Sequence, residues 1–107
     1  MISESEFNEL IEYTFAALEE ALDQVDGDID YQMSGSVLTV EFGNATKLVF
    51  SRQPPTRQLW LAARSGGFHF AYDEAVGDWR GTRDEQLFRP FVVDQMQAQG
   101  GISFEWS

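Results

Sequence analysis

The stretch of sequence that decides the fold is residues 58–72, QLWLAARSGGFHFAY. Every second position is apolar on both sides of a Gly-Gly pair, at Leu59, Leu61, Phe68, Phe70 and Tyr72. A period of two is typical of strands with one buried face, and glycines between two such runs predict a β-hairpin. We therefore predict that the listed residues face a core, while Trp60 and His69 point to the opposite side of the sheet.

The same alternation extends in both directions from this hairpin. It runs through residues 29–50, with turns at Ser34-Gly35 and Gly43-Asn44, and returns briefly at 77–81. Pro54-Pro55 interrupts the pairing, because proline cannot donate to a ladder. Contiguous strands with short connections predict an antiparallel meander over residues 29–81.

A helix is predicted over residues 4–26. Ser3 and Glu6 have the spacing of a capping box, and Gly27 is suited to the left-handed position that ends a helix. The apolar residues follow in steps of three and four, as one stripe made of Phe7, Leu10, Ile11, Leu18, Ala21, Leu22 and Val25. The stripe indicates a helix that packs on the sheet.

A second helix is predicted over residues 84–98, with Thr82 and Glu85 as its capping box. Pro90 requires either a kink or a regular part that begins near Arg89, because proline inside a helix removes a hydrogen bond. Residues 102–106 then form an extended tail that packs along a helix. The predicted fold is one α+β domain spanning residues 1–107, with both helices on one face of the sheet.

Charge and composition narrow the function. The 107 residues carry 18 acids and 7 bases, a net charge of −11, and no cysteine. Disulfides, zinc–cysteine sites and thiol nucleophiles are therefore excluded. We expect a cytoplasmic protein that binds neither nucleic acid nor membranes, since anionic partners would be repelled. Metal cations and basic protein surfaces are the expected partners.

The negative charge is concentrated in residues 1–30, which contain ten of the acids and neither Lys nor Arg. Acids without interleaved bases repel one another along a helix. Two interpretations therefore stay open: the acids form a solvated face, or their negative electrostatic field has a function. Exposed carboxylates are hard oxygen donors, suited to weak binding of iron, manganese or calcium. No catalytic constellation accompanies them, because His69 is the one imidazole and lies in mid-strand.

The sequence resembles the frataxin family, and within it the short bacterial members. The matching residues are Arg52, Gln53, Pro55, Gln58, Trp60, Leu61 and Ala62, followed by Gly66, Gly67, Phe68, His69 and Phe70. The order of acidic helix, meander, Trp-bearing strand, Gly-Gly hairpin and closing helix extends the likeness over nearly the whole chain. Ser51 departs from the pattern, since the family usually has Asn there.

The resemblance implies a frataxin-like α/β sandwich and a role in iron–sulfur cluster assembly. It implies weak, exposed binding of Fe²⁺ or Fe³⁺, and of other divalent cations, by a set that we call the acidic ridge: Glu19, Glu20, Asp23, Asp26, Asp28 and Asp30. It also implies binding to the cysteine desulfurase and scaffold protein. The implied partner-binding residues are Glu19, Glu20, Asp23, Arg52, Gln58 and Trp60.

Two functional classes stay open. In the first, the chain is a regulatory accessory protein without turnover, and a monomer. In the second, it stores iron or oxidises Fe²⁺, in iron-dependent oligomers. Outward-pointing acids favour the first class, because ferroxidase sites in helix bundles need ligands that converge inside a core.

Overall fold

A computed structural model describes residues 2–106 of the chain. The element order is α1 (Glu4–Asp23), β1 (Ile29–Ser34), β2 (Val37–Phe42), β3 (Lys47–Gln53), β4 (Gln58–Ala63), β5 (Gly66–Asp73), β6 (Asp78–Gly81) and α2 (Phe88–Gly100). The strands form one six-stranded antiparallel sheet in sequence order. Both helices pack on the same face, so the predicted fold class is confirmed. We call the other side of the sheet the open face.

The register of the β4–β5 hairpin sorts side chains as the alternation predicts. Leu59 lies opposite Phe70, and both are buried in the core under the helices. The next pair, Trp60 and His69, lies on the open face. Pro54–Thr56 forms a 3-10 turn that ends the pairing of β3, and Arg57 follows with a left-handed φ of 50°.

α1 ends earlier than predicted. Its capping box is present, with Ser3 and Glu6 each accepting the other's backbone N–H. The helix stops at Asp23, however, three residues before the predicted boundary, and Gln24 rather than Gly27 caps it. Gly27 serves the tail instead, since a Cβ there would lie 2.9 Å from Ile102 Cδ1. The absence of a side chain at Gly27 therefore lets the C-terminal tail approach closely.

α2 begins later than predicted, and the expected capping box at Thr82 and Glu85 is wrong. Gln86 is drawn alongside β6, because its carbonyl accepts the Gly81 N–H at 2.7 Å. Starting at Phe88, the helix holds Pro90 in its first turn, where a missing N–H costs nothing. The alternative of a regular part beginning near Arg89 is thus the one observed.

The fully buried polar side chains, Thr14, Asp78 and Gln99, are hydrogen-bonded. Trp79 Nε1 donates to Thr14 Oγ1 at 3.0 Å, across α1 and β6. Gln99 accepts the Arg64 N–H at 3.0 Å and donates to the Lys47 carbonyl at 2.8 Å, which fastens α2 to the sheet. Such pairing is required, since an unsatisfied buried group costs about 1–3 kcal/mol.

The tail packs on a helix, as predicted. Ile102 and Phe104 are buried, and the Trp106 ring meets Phe88 edge to face at 5.7 Å between centroids. Arg89 lies over the Trp106 ring at 5.4 Å.

Across residues 2–106, the helices lack the length and apolar character that a membrane crossing requires.

Candidate functional site

The outer face of α1 carries the first half of the acidic ridge. Glu20 and Asp23 are exposed and Glu19 is half-buried, while Asp26 is exposed in the loop that follows the helix. Residues 1–30 contain no Lys or Arg that could neutralise these acids. The apolar stripe positions these acids, because it turns the opposite side of α1 into the core.

Asp23 is joined to the sheet by a hydrogen bond that the sequence did not reveal. Tyr31 on β1 donates its phenol O–H to Asp23 Oδ1. The carboxylate acceptor raises the pKa of Tyr31 above its ordinary value, because ionising the phenol would break the bond and oppose two negative charges. Tyr31 thus anchors the C-terminal end of α1 against β1.

The second half of the acidic ridge does not continue along the same surface. Asp28 leans over the β2–β3 turn, where a Cβ on Gly43 would collide with its carboxylate. Asp30 lies on the open face, because strand residues alternate and its neighbour Tyr31 faces the helices. The acidic ridge is therefore not one continuous surface, because Asp30 lies around the sheet edge from Glu19, Glu20 and Asp23.

Trp60 lies on the open face, as predicted, but it is half-buried rather than fully exposed. Its indole stacks on His69, with 4.1 Å between centroids and 11° between planes. The indole N–H donates to Gln58 Oε1 at 2.9 Å. The structure thus brings Gln58, Trp60 and His69 together, with Ser51 opposite Trp60 on β3. His69 therefore supports the indole on this surface.

Arg52 does not share this surface. The register pairs it with buried Leu59, which places it on the helix side of the sheet. Its guanidinium reaches Asn8 Oδ1 on α1 at 3.4 Å, and its buried Nε has no hydrogen-bond partner within the described residues. Arg52 therefore lies on the opposite side of the sheet from Gln58 and Trp60, an even number of residues from buried Phe50, and its part in partner binding stays a prediction.

The carboxylates can hold cations only loosely. Within residues 2–106, no three His, Asp or Glu side chains are close enough together to form a metal site. Their oxygen donors suit a hard cation, but water must complete its coordination shell. The arrangement therefore fits weak, exposed iron binding by one or two carboxylates and does not fit an enclosed site.

Neither Glu41 nor Tyr31 was assigned to this region in the sequence analysis, although the sequence pattern could have placed both residues there. The two-residue turn after Ser34 predicts that Asp30 lies opposite Glu41, which is the observed register. Counting two more residues from the core position Ile29 places Tyr31 under α1. The bond from Tyr31 to Asp23 had no such signal, since it depends on how α1 crosses the sheet.

Comparison with known proteins agrees with this architecture. The Iron-sulfur cluster assembly protein CyaY of Pseudomonas entomophila is 52% identical over 86 residues, covering 80% of this chain and 78% of that protein. The protein of the same name from Photobacterium profundum is 36% identical over the full length of both chains.

Solved structures agree as well. Frataxin from Psychromonas ingrahamii superposes with a TM-score of 0.91 at 33% identity, over 99% of each chain. Trimeric frataxin from the yeast Saccharomyces cerevisiae, complexed with ferrous iron, shares the fold, with a TM-score of 0.68 and 24% identity over 92% of this chain and 86% of that one. Residues 1–102 match the frataxin-like domain. Together with the Trp-bearing strand and the Gly-Gly hairpin, these matches show that the chain belongs to the frataxin family.

Proposed function

We propose that this protein is an iron-binding regulatory component of iron–sulfur cluster assembly, working in the cytoplasm as a single domain. Its bacterial relatives carry the name iron–sulfur cluster assembly protein. The protein docks on the cysteine desulfurase and its scaffold protein and performs no turnover of its own. Iron, or another divalent cation, binds weakly to the acidic ridge.

The observation that supports this proposal most is that one small domain carries an acidic surface and, separate from it, an uncharged aromatic surface. Glu19, Glu20 and Asp23 project from α1 with no base among residues 1–30, so they attract a positively charged surface. Around the edge of the sheet, Gln58 and Trp60 offer a flat, hydrogen-bonded aromatic contact. Half-buried Trp residues of this kind are frequent anchors of protein–protein interfaces.

Reversal of the ridge charges tests the proposal. We expect Glu19→Lys, Glu20→Lys and Asp23→Lys together to leave the fold intact and to abolish desulfurase binding, measured by calorimetry. Wild-type binding should weaken steeply between about 50 and 300 mM salt, where screening grows. The matched control is Glu74→Lys, Glu85→Lys and Asp94→Lys, which changes the net charge equally at three exposed positions elsewhere. Equal loss in both triple variants would contradict a local ridge contact.

Iron storage or ferroxidase chemistry is the competing function. Oxygen consumption after addition of Fe²⁺, together with size-exclusion chromatography of the same sample, separates the two functions. We expect slow oxidation at the rate of free iron and an unchanged elution volume. Catalysed oxygen consumption in a growing oligomer would support storage instead.

A further inference from the structure

The two edge strands of the sheet, β1 and β6, differ in whether other backbone groups pair with their outer sides. β6 has its outer side occupied: Gly81 N donates to Gln86 O at 2.7 Å, and Leu87 forms an antiparallel bridge with Arg80. β1 is the other edge, and within residues 2–106 no strand lies beyond it. An open edge is a template for another strand, and proteins usually blunt it.

The backbone groups that β1 leaves free can be read from its pairing. Ser34 and Val37 close a two-residue turn, and Asp28 O accepts from Gly43 N at 3.1 Å, so even-numbered residues of β1 bond inward to β2. The backbone N–H and C=O groups of the odd-numbered residues therefore point away from β2, along the outer edge of the sheet. The Ile29 N–H donates to the Gly27 carbonyl oxygen. Tyr31 and Met33 are left with an N–H and a C=O each along the outer edge.

The side chains around this edge determine which strand could join it. On the open face, Asp30 lies opposite Glu41, and Glu41 lies opposite Lys47. Like charges directly opposite destabilise a sheet, and only Glu41 has a base on its other side. A Lys or Arg opposite Asp30 on an added strand would give Asp30 the basic neighbour that Lys47 gives Glu41.

The helix side of the edge has its own requirements. Asp23 is held there by Tyr31, and Met33 is 37% exposed. An incoming strand would cover Met33 with an apolar residue and meet a second carboxylate. A second copy of this chain is a poor occupant, because each copy carries a net charge of −11.

We infer that the outer edge of β1 binds an extended basic segment of a protein partner by β-strand addition. The segment alternates basic residues, facing Asp30, with apolar residues, facing Met33, and main-chain hydrogen bonds to Tyr31 and Met33 supply the register. This inference deepens the proposed function and rests on it in one respect, the basic character of the partner.

The probe is an acetylated and amidated octapeptide in which lysine and valine alternate. Its control has four lysines followed by four valines, with the same charge and composition but without alternation. We expect the alternating peptide to bind at least tenfold more tightly, and backbone amide exchange at Tyr31 and Met33 to slow at least tenfold on saturation. Equal affinity of the two peptides, or unchanged exchange, would overturn the inference and leave attraction by charge alone.

The protein variant is Met33→Pro, which removes one outward N–H and is tolerated at an edge. Met33→Ala is its control, because it shortens the side chain and keeps the donor. We expect only the proline variant to lose at least tenfold in affinity. Where the proline variant melts much earlier than wild type, a peptide N-methylated at alternate amides makes the same test from the other side. Binding that survives both changes would contradict strand addition.

The two proposals fail separately. If the ridge triple variant loses desulfurase binding while Met33→Pro binds the alternating peptide like wild type, the docking function stands and strand addition is wrong. If the peptide adds to the edge while wild-type protein does not bind the desulfurase, strand addition stands and the docking function is wrong.

Discussion

The covered face and the open face of the sheet differ across a single step of the β4–β5 hairpin. Leu59 and Phe70 form one cross-strand pair, which is buried, and Phe70 meets Phe88 at 5.1 Å between centroids. Trp60 and His69 form the next pair, and they stack on each other on the face opposite to both helices. The same chemistry, an aromatic ring in a strand, therefore stabilises the core in one pair and shapes a surface in the other.

The lesson is that residue type does not assign an aromatic to the core, whereas its parity in the strand does. The acidic ridge obeys the same rule, since Asp30 and Tyr31 are neighbours in sequence and lie on opposite faces. A mutation should thus affect stability or binding according to the face it falls on.

Phe70→Ala should have the largest effect. The side chain is 1% exposed and packs on Phe88 and Phe91, so its removal leaves a cavity. We expect the free energy of unfolding to fall by about 3–5 kcal/mol, measured by chemical denaturation. Desulfurase affinity of the folded fraction should stay at the wild-type value. A loss below about 1 kcal/mol would remove the distinction between the two faces.

Trp60→Ala should reverse that pattern. Truncation removes the stack on His69 and the bond to Gln58, at a cost of about 1 kcal/mol in unfolding free energy. Desulfurase binding should weaken by about 2 kcal/mol, as for an interface anchor. Denaturation curves and calorimetry on the same sample measure both. A large loss of stability with unchanged affinity would mean that Trp60 belongs with Phe70 in function.

Tyr31→Phe should have the smallest effect and a distinctive pH dependence. Because Asp23 raises the pKa of Tyr31 in the folded state, the phenol stabilises the fold below its ordinary pKa of about 10 and ceases to do so as pH rises through the folded pKa. Melting temperatures of wild type and variant, measured upward from pH ~8, should differ most at the lower end, and the difference should shrink as the pH rises above ~10.

The control for this comparison is Tyr13→Phe. Tyr13 lies on α1 and is 64% exposed. Its substitution removes the same hydroxyl group from an exposed ring and so controls for the change from Tyr to Phe itself. Parallel curves for Tyr31→Phe and wild type would show that the bond to Asp23 contributes no stability.

Much of the fold followed from local patterns. The period of two in residues 29–72 predicted the meander and the outward position of Trp60. The turn predicted at Ser34-Gly35 forms one residue later, between the paired residues Ser34 and Val37. The spacing of Ser3 and Glu6 predicted the start of α1. These signals are reliable because hydrogen bonding within a strand, turn or cap involves residues close together in sequence.

The composition and motifs also predicted the chemistry of the candidate site. The first 30 residues have an unbalanced negative charge in any fold, and the motif in residues 51–70 pointed to the family that the comparisons confirm. Which of these side chains share a surface was less predictable. Parity in β3 already places Arg52 on the helix side of the sheet, since it lies two residues from buried Phe50.

By itself, then, the sequence determined the elements, the faces of the strands and the sign of the charge, because each depends on neighbouring residues. Only the tertiary structure decided where α2 begins, since Gln86 O accepts from Gly81 N, and how closely Ile102 of the tail approaches Gly27. It also decided that Tyr31 holds Asp23 while Asp30 lies on the other side. Contacts between residues far apart in the chain depend on how the helices cross the sheet, which no local pattern encodes.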